Sequence, residues 1–341
     1  MSDQRRLLIL AQGHSADPHY GKTARGVIRY RPDEVVAILD SERAGEEQDG
    51  FPIVGTVADA LRLAPAAALV GVATQGGRFP PAWRDLLKDC IESGLDVESG
   101  LHEFISDDPE LAPLAATHGV ELRDLRKAPA GLNVPTGANL THHAKVVLTV
   151  GSDCAIGKMT VSLELDAAAR RAGVASQFVP TGQTGIAIAG WGISVDAVVA
   201  DFIAGAAERL VLEGVARGGE LLWVEGQGSL LHPGYSGVTL GLLHGSAPHA
   251  YVLCHKAGER FIDGNEAFPM PSLSRLVELH ERIALIARPA KVAAIALNTR
   301  DLDEDAALAA IEAAQAETGL VATDPVRFGA APLYAAVCGI L

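Results

Sequence analysis

Residues 145–160 read KVVLTVGSDCAIGKMT, and no other stretch constrains the chain as tightly. A run of β-branched apolar residues ends at Gly151, Gly157-Lys158 follows, and Thr160 stands two places beyond the lysine. This is the layout of a phosphate-binding loop: strand, glycine-containing turn, lysine, helix. Backbone N–H groups of such a turn point at an anion, the next helix adds its positive N-terminal end, and the lysine adds a full charge. The pattern predicts a parallel α/β sheet in the second half and a phosphate-bearing ligand. Gly151, Ser152, Asp153, Cys154, Gly157, Lys158, Met159 and Thr160 are the residues that would hold it.

The loop departs from the common spacing. That pattern places four residues between the glycines and Ser or Thr directly after the lysine. Here five residues separate Gly151 from Gly157, and Met159 displaces the hydroxyl to Thr160. The hydroxyl normally binds magnesium, so its displacement weakens the case for a metal–nucleotide. The longer G-x-D-x-x-x-G-K loop resembles that of dethiobiotin synthetase and its relatives.

A net charge of −14 argues against broad nucleic-acid or anionic-membrane binding, so any phosphate site must be a local basic pocket. Cys90, Cys154, Cys254 and Cys338 show neither CxxC nor Cys/His ligand spacing. Zinc and a disulfide framework are therefore not expected, no metal site is expected, and a reducing cytoplasm is the default. The apolar run at the start is too short for a signal peptide, and no stretch of about 18 apolar residues exists.

With 341 residues, the chain has room for two domains. In the first half, short apolar runs at 6–11, 34–40, 68–73 and 95–98 read as strands. The stretch 81–93 is amphipathic, with Trp83, Leu86, Leu87, Cys90 and Ile91 at helical spacing. Strands alternating with helices imply a parallel sheet, here Rossmann-like. Asp40 ends the second strand, where dinucleotide-binding folds hold a ribose, and the turn Thr74-Gln75-Gly76-Gly77 follows the third. Residues 125–144 carry two prolines and two glycines without periodicity and read as a linker, His142 and His143 being surface histidines. We place the boundary near Lys127, giving a Rossmann-like domain over 1–127 and a P-loop NTPase-like α/β domain over 128–341. In the second half, 145–150, 176–179, 220–224, 250–254 and 292–297 read as strands. Helices are expected at 158–172, 195–213, 304–317 and 332–339.

Strand ends hold the candidate chemistry, because open α/β sheets bind ligands at the carboxyl ends of their strands. Strand ELLWV delivers Glu225-Gly226-Gln227-Gly228-Ser229 and runs on as a glycine-rich loop through His232 to Gly237. Glu225 is placed to act as a base, to bind a metal through water, or only to cap a loop. Gln227 and Ser229 line the same segment. The turn FVPTGQTG, 178–185, offers Thr181, Gln183 and Thr184 as uncharged donors; Asp196 and Asp201 beyond it are explained by helix capping. Asn298 ends a late strand, at the position where P-loop relatives keep a base-recognising Asn. His255 ends another strand on the same edge.

These motifs together resemble a family long known only as a domain of unknown function, which includes D-glutamate N-acetyltransferases of the DgcN type. The resemblance rests on 151–160, TGQTGIAIAGWG (181–192), VEGQGSLLHPGYSGVTLGLLHGS (224–246), VLCH (252–255), GKTARGVIRY (21–30) and VATQGGRFPPAWR (72–84), and covers nearly the whole chain. It implies acetyl transfer from acetyl-CoA to the amino group of a D-amino acid, typically D-glutamate. Coenzyme A carries a pyrophosphate that a phosphate loop can hold as readily as it holds ATP. Under this reading Glu225, His232 and His255 are the catalytic candidates. Arg25, Arg29 and Arg78 supply cations for the substrate carboxylates, alongside Gln183, Thr184, Gln227 and Ser229. The expected partners are the small-molecule D-amino acid and further copies of the chain in a homo-oligomer, with no nucleic acid and no membrane. The alternative is an ATP- and magnesium-dependent ligase or kinase resembling dethiobiotin synthetase, using Lys158, Thr160 and Glu225. A nucleotide-dependent switch or metallochaperone is a third reading; it demands a His/Cys cluster that the sequence spacing does not show.

Overall fold

The computed structural model describes residues 5–17, 20–72, 77–80 and 82–341. The turn expected at 74–76 lies outside the described residues. By packing, the chain divides into two compact units: residues 1–127 with 183–194, and residues 128–182 with 195–341.

In the first unit the strands are β1 (Leu7–Leu10), β2 (Val35–Leu39), β3 (Glu47–Gln48), β4 (Phe51–Val54), β5 (Ala67–Val70), β6 (Asp96–Ser99) and β7 (Leu122–Asp124). Helices α1 (Lys22–Tyr30), α2 (Val57–Leu61), α3 (Trp83–Glu92) and α4 (Leu111–His118) alternate with them. The sheet order is β3-β4-β2-β1-β5-β6-β7, parallel except for the β3–β4 pair. All four residues of β1 are fully buried, as a strand covered on both faces must be, which is why it reads as an unbroken apolar run.

The second half of the chain carries β8 (Lys145–Gly151), α5 (Lys158–Arg171), β9 (Ser176–Val179), α6 (Gln183–Ala189), α7 (Ile203–Ala216), β10 (Leu221–Val224), α8 (Ser236–Ser246) and β11 (Ala250–Lys256), all but α6 in the second unit. A hairpin of β12 (Phe261–Ile262) and β13 (Asn265–Pro269) follows, then α9 (Leu273–Arg282), β14 (Lys291–Asn298), α10 (Glu304–Thr318), β15 (Val321–Thr323) and α11 (Ala331–Cys338). Its parallel sheet runs β15-β14-β11-β8-β10-β9. Chain order reverses at β8, so the crevice beyond β8 is the ligand position of such a sheet. Register does the rest. Val224 pairs with Leu148 and Cys254 with Gly151, which brings Glu225 and His255 to the same edge as the loop.

Helix α6 is covalently part of the second half but packs in the first unit. Arg126 Nε donates to Gln183 Oε1, Thr23 and Thr184 hydroxyls pair at 3.0 Å, Arg5 Nη2 donates to Ala187 O at 2.9 Å, and Arg123 Nη2 donates to Gly190 O at 2.9 Å. The chain resumes in the second unit at Val195, whose N–H donates to Thr181 O at 2.9 Å and closes the base of this excursion. For that reason the long helix expected at 195–213 is broken: 195–197 and 200–202 form short 3₁₀ turns, and α7 starts only at Ile203.

Buried histidine in the core of the second unit is a cost that acid exposes. His280 is fully buried, donates Nδ1–H to Leu276 O at 2.8 Å, and burial pulls its pKa down to about 4. An unfolded histidine titrates near pH 6.5. Between these values the denatured chain binds a proton that the folded chain refuses, so stability falls as the pH is lowered through that window. Urea unfolding from pH 7 to 4.5 should show this slope. His280→Leu should flatten it by close to one proton; an unchanged slope in the variant would contradict the assignment.

Candidate functional site

The loop between β8 and α5 is built around its own buttresses. Gly157 takes φ 111°, a left-handed conformation that a β-carbon resists, and this directs Lys158 into the first turn of α5. Lys158 is buried and its Nζ donates to Asp153 O at 2.6 Å, across the loop. Asn298, at the end of β14, donates Nδ2–H to Ile156 O at 3.1 Å and accepts from Arg300 N–H at 3.2 Å. One end of this amide therefore holds the loop and the other holds its own turn after β14. Met159 and Thr160 are half-buried on α5.

Asp153 is fully buried inside the loop. Its Oδ1 accepts Cys154 N–H at 2.7 Å and its Oδ2 accepts Asp263 N–H, from the turn of the β12–β13 hairpin, at 2.6 Å. One loop amide thus faces an internal carboxylate. Burial raises the pKa of the Cys154 thiol, Lys158 opposes the shift, and Asp153 and Asp263 reinforce it.

Glu225 is buried where β10 ends. Oε2 accepts Thr181 N–H at 2.9 Å and Gly182 N–H at 3.1 Å, Oε1 accepts Gln227 Nε2–H at 3.3 Å, and Thr181 Oγ1 donates to Glu225 O at 2.6 Å. The carboxylate organises the 181–182 turn. Gly226 N–H donates to Thr149 Oγ1 at 3.0 Å, and Ser229 Oγ donates to Ser152 O at 2.8 Å. His255 Nδ1 and Ser152 Oγ are 2.9 Å apart, and burial lowers the pKa of the imidazole. His232 is half-buried, with Gly234 N–H donating to its Nδ1 at 3.1 Å.

The second unit therefore gathers Gly151, Ser152, Asp153, Cys154, Gly157, Lys158, Glu225, Gln227, Ser229, His232, His255 and Asn298 about one strand edge. Gln183 and Thr184 are not in that set: they sit on α6 with their polar groups turned to Arg126 and Thr23. Arg25 and Arg29 are exposed on α1, Arg25 donating to Ala16 O at 3.3 Å and Arg29 stacking on Tyr30, and Arg78 is exposed beyond β5. In the same unit, a cleft of about 390 Å³ is lined by Gly13, Ser15, Asp17, Asp40 and Arg43. The ribose role considered for Asp40 does not fit this geometry. Its carboxylate is spent on Gly13 N–H at 3.0 Å, Ser15 N–H at 3.2 Å and the Ser15 hydroxyl at 2.5 Å. Burial raises its pKa, but these donors outweigh burial and the net shift is downward.

Sequence reasoning passed over Thr149, Ser162 and Asp263, which shape the loop from outside it. It also saw no ligand cluster from spacing. In the fold, Asp153, Cys154 and His232 bring one ligand atom each to within 4.8 Å of one another.

The class is now defined: a Rossmann-like unit joined to a P-loop unit whose phosphate loop faces an acidic strand end. Two family models describe these parts. Residues 40–128 match "Domain of unknown function (DUF1611_N) Rossmann-like domain", and residues 133–334 match "Domain of unknown function (DUF1611_C) P-loop domain". The chain belongs to this family. It is 36% identical to the D-glutamate N-acetyltransferase of Tritonibacter scottomollicae, over 97% of this chain and 98% of the relative. It is 35% identical to that of a Pseudoalteromonas species, over 83% of this chain and 84% of the relative. The crystal structure of a DUF1611 family protein from Anabaena variabilis superposes with a TM-score of 0.90 at 41% identity, covering 98% of this chain and 99% of the other. These relationships make the chain an enzyme of the acyltransferase class. Among the described residues, no helix is long and apolar enough to cross a membrane.

One glycine tests the geometry directly. A β-carbon at Gly226 would lie 1.8 Å from Thr149 O and 3.0 Å from Lys158 Cδ. Gly226→Ala should cost at least about 1–3 kcal/mol of stability, the scale of overpacking, because the nearest clash is with backbone. Chemical denaturation checks this, and a variant as stable as the parent would mean that β8 and β10 are further apart than described.

Proposed function

We propose that this chain transfers the acetyl group of acetyl-CoA to the amino group of D-glutamate. One observation carries the reading: the 36% identity to a D-glutamate N-acetyltransferase runs through both units rather than one. The buttressed loop at 151–158 supports it, since coenzyme A brings a pyrophosphate that amides, a helix N-terminus and a lysine can bind.

Acetyl transfer needs a neutral amine to attack the thioester carbonyl, donors for the oxyanion, and a proton for the departing thiolate. The ammonium proton must first go to a base. Glu225 is poorly suited, because three N–H donors already claim its oxygens; its part is to position the 181–182 turn. We assign the proton to His255, whose pKa burial holds below the usual value, leaving the ring neutral at pH 7. The two carboxylates of D-glutamate require cationic partners.

Purified protein with acetyl-CoA and D-glutamate, without ATP or magnesium, should release free thiol. ADP release from ATP with no thiol release would instead establish the ligase reading. Lys158→Ala should weaken acetyl-CoA binding by about 10- to 100-fold, the worth of a charge-assisted contact of about 1.5–3 kcal/mol; unchanged affinity in a titration would remove Lys158 from the cofactor site. For His255 the readout is the acid limb of kcat/KM. It should fall only below about pH 6.5, where a depressed imidazole takes its proton, and should disappear in His255→Gln.

A further inference from the structure

We propose that the phosphate loop carries a second site, for a zinc-class divalent cation, held by Asp153, Cys154 and His232. Asp153 and Cys154 are neighbours in the loop and His232 comes from the distant segment after β10, yet the three ligand atoms lie within 4.8 Å of one another. Ligand atoms of a tetrahedral zinc ion stand roughly 3.3–3.7 Å apart, so small inward movements of the half-buried Cys154 and His232 close the set. A carboxylate, a thiolate and an imidazole together suit zinc, whereas magnesium and calcium take oxygen sets.

Charge at the loop mouth points the same way. Asp153 is fully buried, and Asp263 and Glu259 face the same region, each destabilising the charge on its neighbours. Glu259 Oε2 is buried without a hydrogen-bond partner. Lys158 donates to the backbone carbonyl of Asp153 at 2.6 Å, and Lys256 is shared between Glu259 at 3.4 Å and Asp301 at 3.3 Å. Carboxylates crowded beside a phosphate loop oppose an incoming anion; a cation among them removes that opposition. Cys154 gives up its thiol proton on binding. His232 gives up only the bond from Gly234 N–H, in an exposed turn: the ion either takes Nδ1 or moves the proton onto it. Neither step involves His255, and ion binding is read without acetyl-CoA or D-glutamate present, so its failure is distinguishable from failure of the proposed reaction.

The test uses the full chain stripped of metal, titrated with ZnCl₂ by calorimetry and with CoCl₂ by absorption. One ion per chain is expected, with a thiolate-to-cobalt charge-transfer band in the near ultraviolet. Cys154→Ser should abolish the band, and His232→Ala should weaken binding by at least about 10-fold. Cys338→Ser, which alters an exposed thiol elsewhere, should change neither, and circular dichroism should show all three variants folded. No stoichiometric ion in the parent chain, or a band that persists in Cys154→Ser, overturns the proposal.

Discussion

One buried hydroxyl holds the candidate site together. Thr149 Oγ1 sits 3.0 Å from Ser162 Oγ on α5 and accepts Gly226 N–H at 3.0 Å from the end of β10. Strand β8, the helix after the loop, and the segment bearing Glu225 are thereby fixed to one point, at a residue 1% exposed. An unmade hydrogen bond at such depth costs more than the bond itself contributes, so the three elements have little freedom to separate. Loop geometry, strand register and the placement of Glu225 follow from this junction and from the central position of β8 in its sheet.

The electrostatics of the loop are mixed. The chain is strongly acidic, yet a loop of this kind suits an anion. The loop has one lysine and one helix N-terminus, and it also contains a buried carboxylate, Asp153. Asp153 shapes the turn by accepting two amides, and in doing so places negative charge where a phosphate would approach. That conflict is characteristic of functional positions, where local rules are broken and compensated by a ligand. It also accounts for how much of the surrounding polar chemistry, Asn298 and Ser229 included, serves to hold the loop in shape.

What the sequence made legible was what repeats locally. Apolar runs marked the strands because both faces of each sheet are covered, and Gly157-Lys158 marked the loop because its chemistry is contiguous. Helix α8 was not marked, and the glycine-rich loop read as far as Gly237 runs into its first turn, since Gly237, Gly241 and Gly245 lower helix propensity. Packing overrides that preference: β-carbons at Gly241 and Gly245 would lie 2.6 Å from Ile203 Cγ2 and 2.1 Å from Ala204 O, so the glycines admit α7 at close range. The break in the 195–213 helix and the capture of α6 by the first unit depend on hydrogen bonds to Thr181, Arg126 and Arg5, partners that no local pattern announces. The same holds for His232 beside Asp153 and Cys154, whose segment is tied to the loop by Ser229 Oγ donating to Ser152 O.

The central claim is that the amides of 151–158 receive the anionic end of the cofactor. Hydrogen–deuterium exchange of the intact protein, with and without coenzyme A, addresses it residue by residue. The account predicts added protection of the amides from Ser152 through Met159 when coenzyme A is bound. Protection confined to other segments, with this loop exchanging as it does in the free protein, would contradict it.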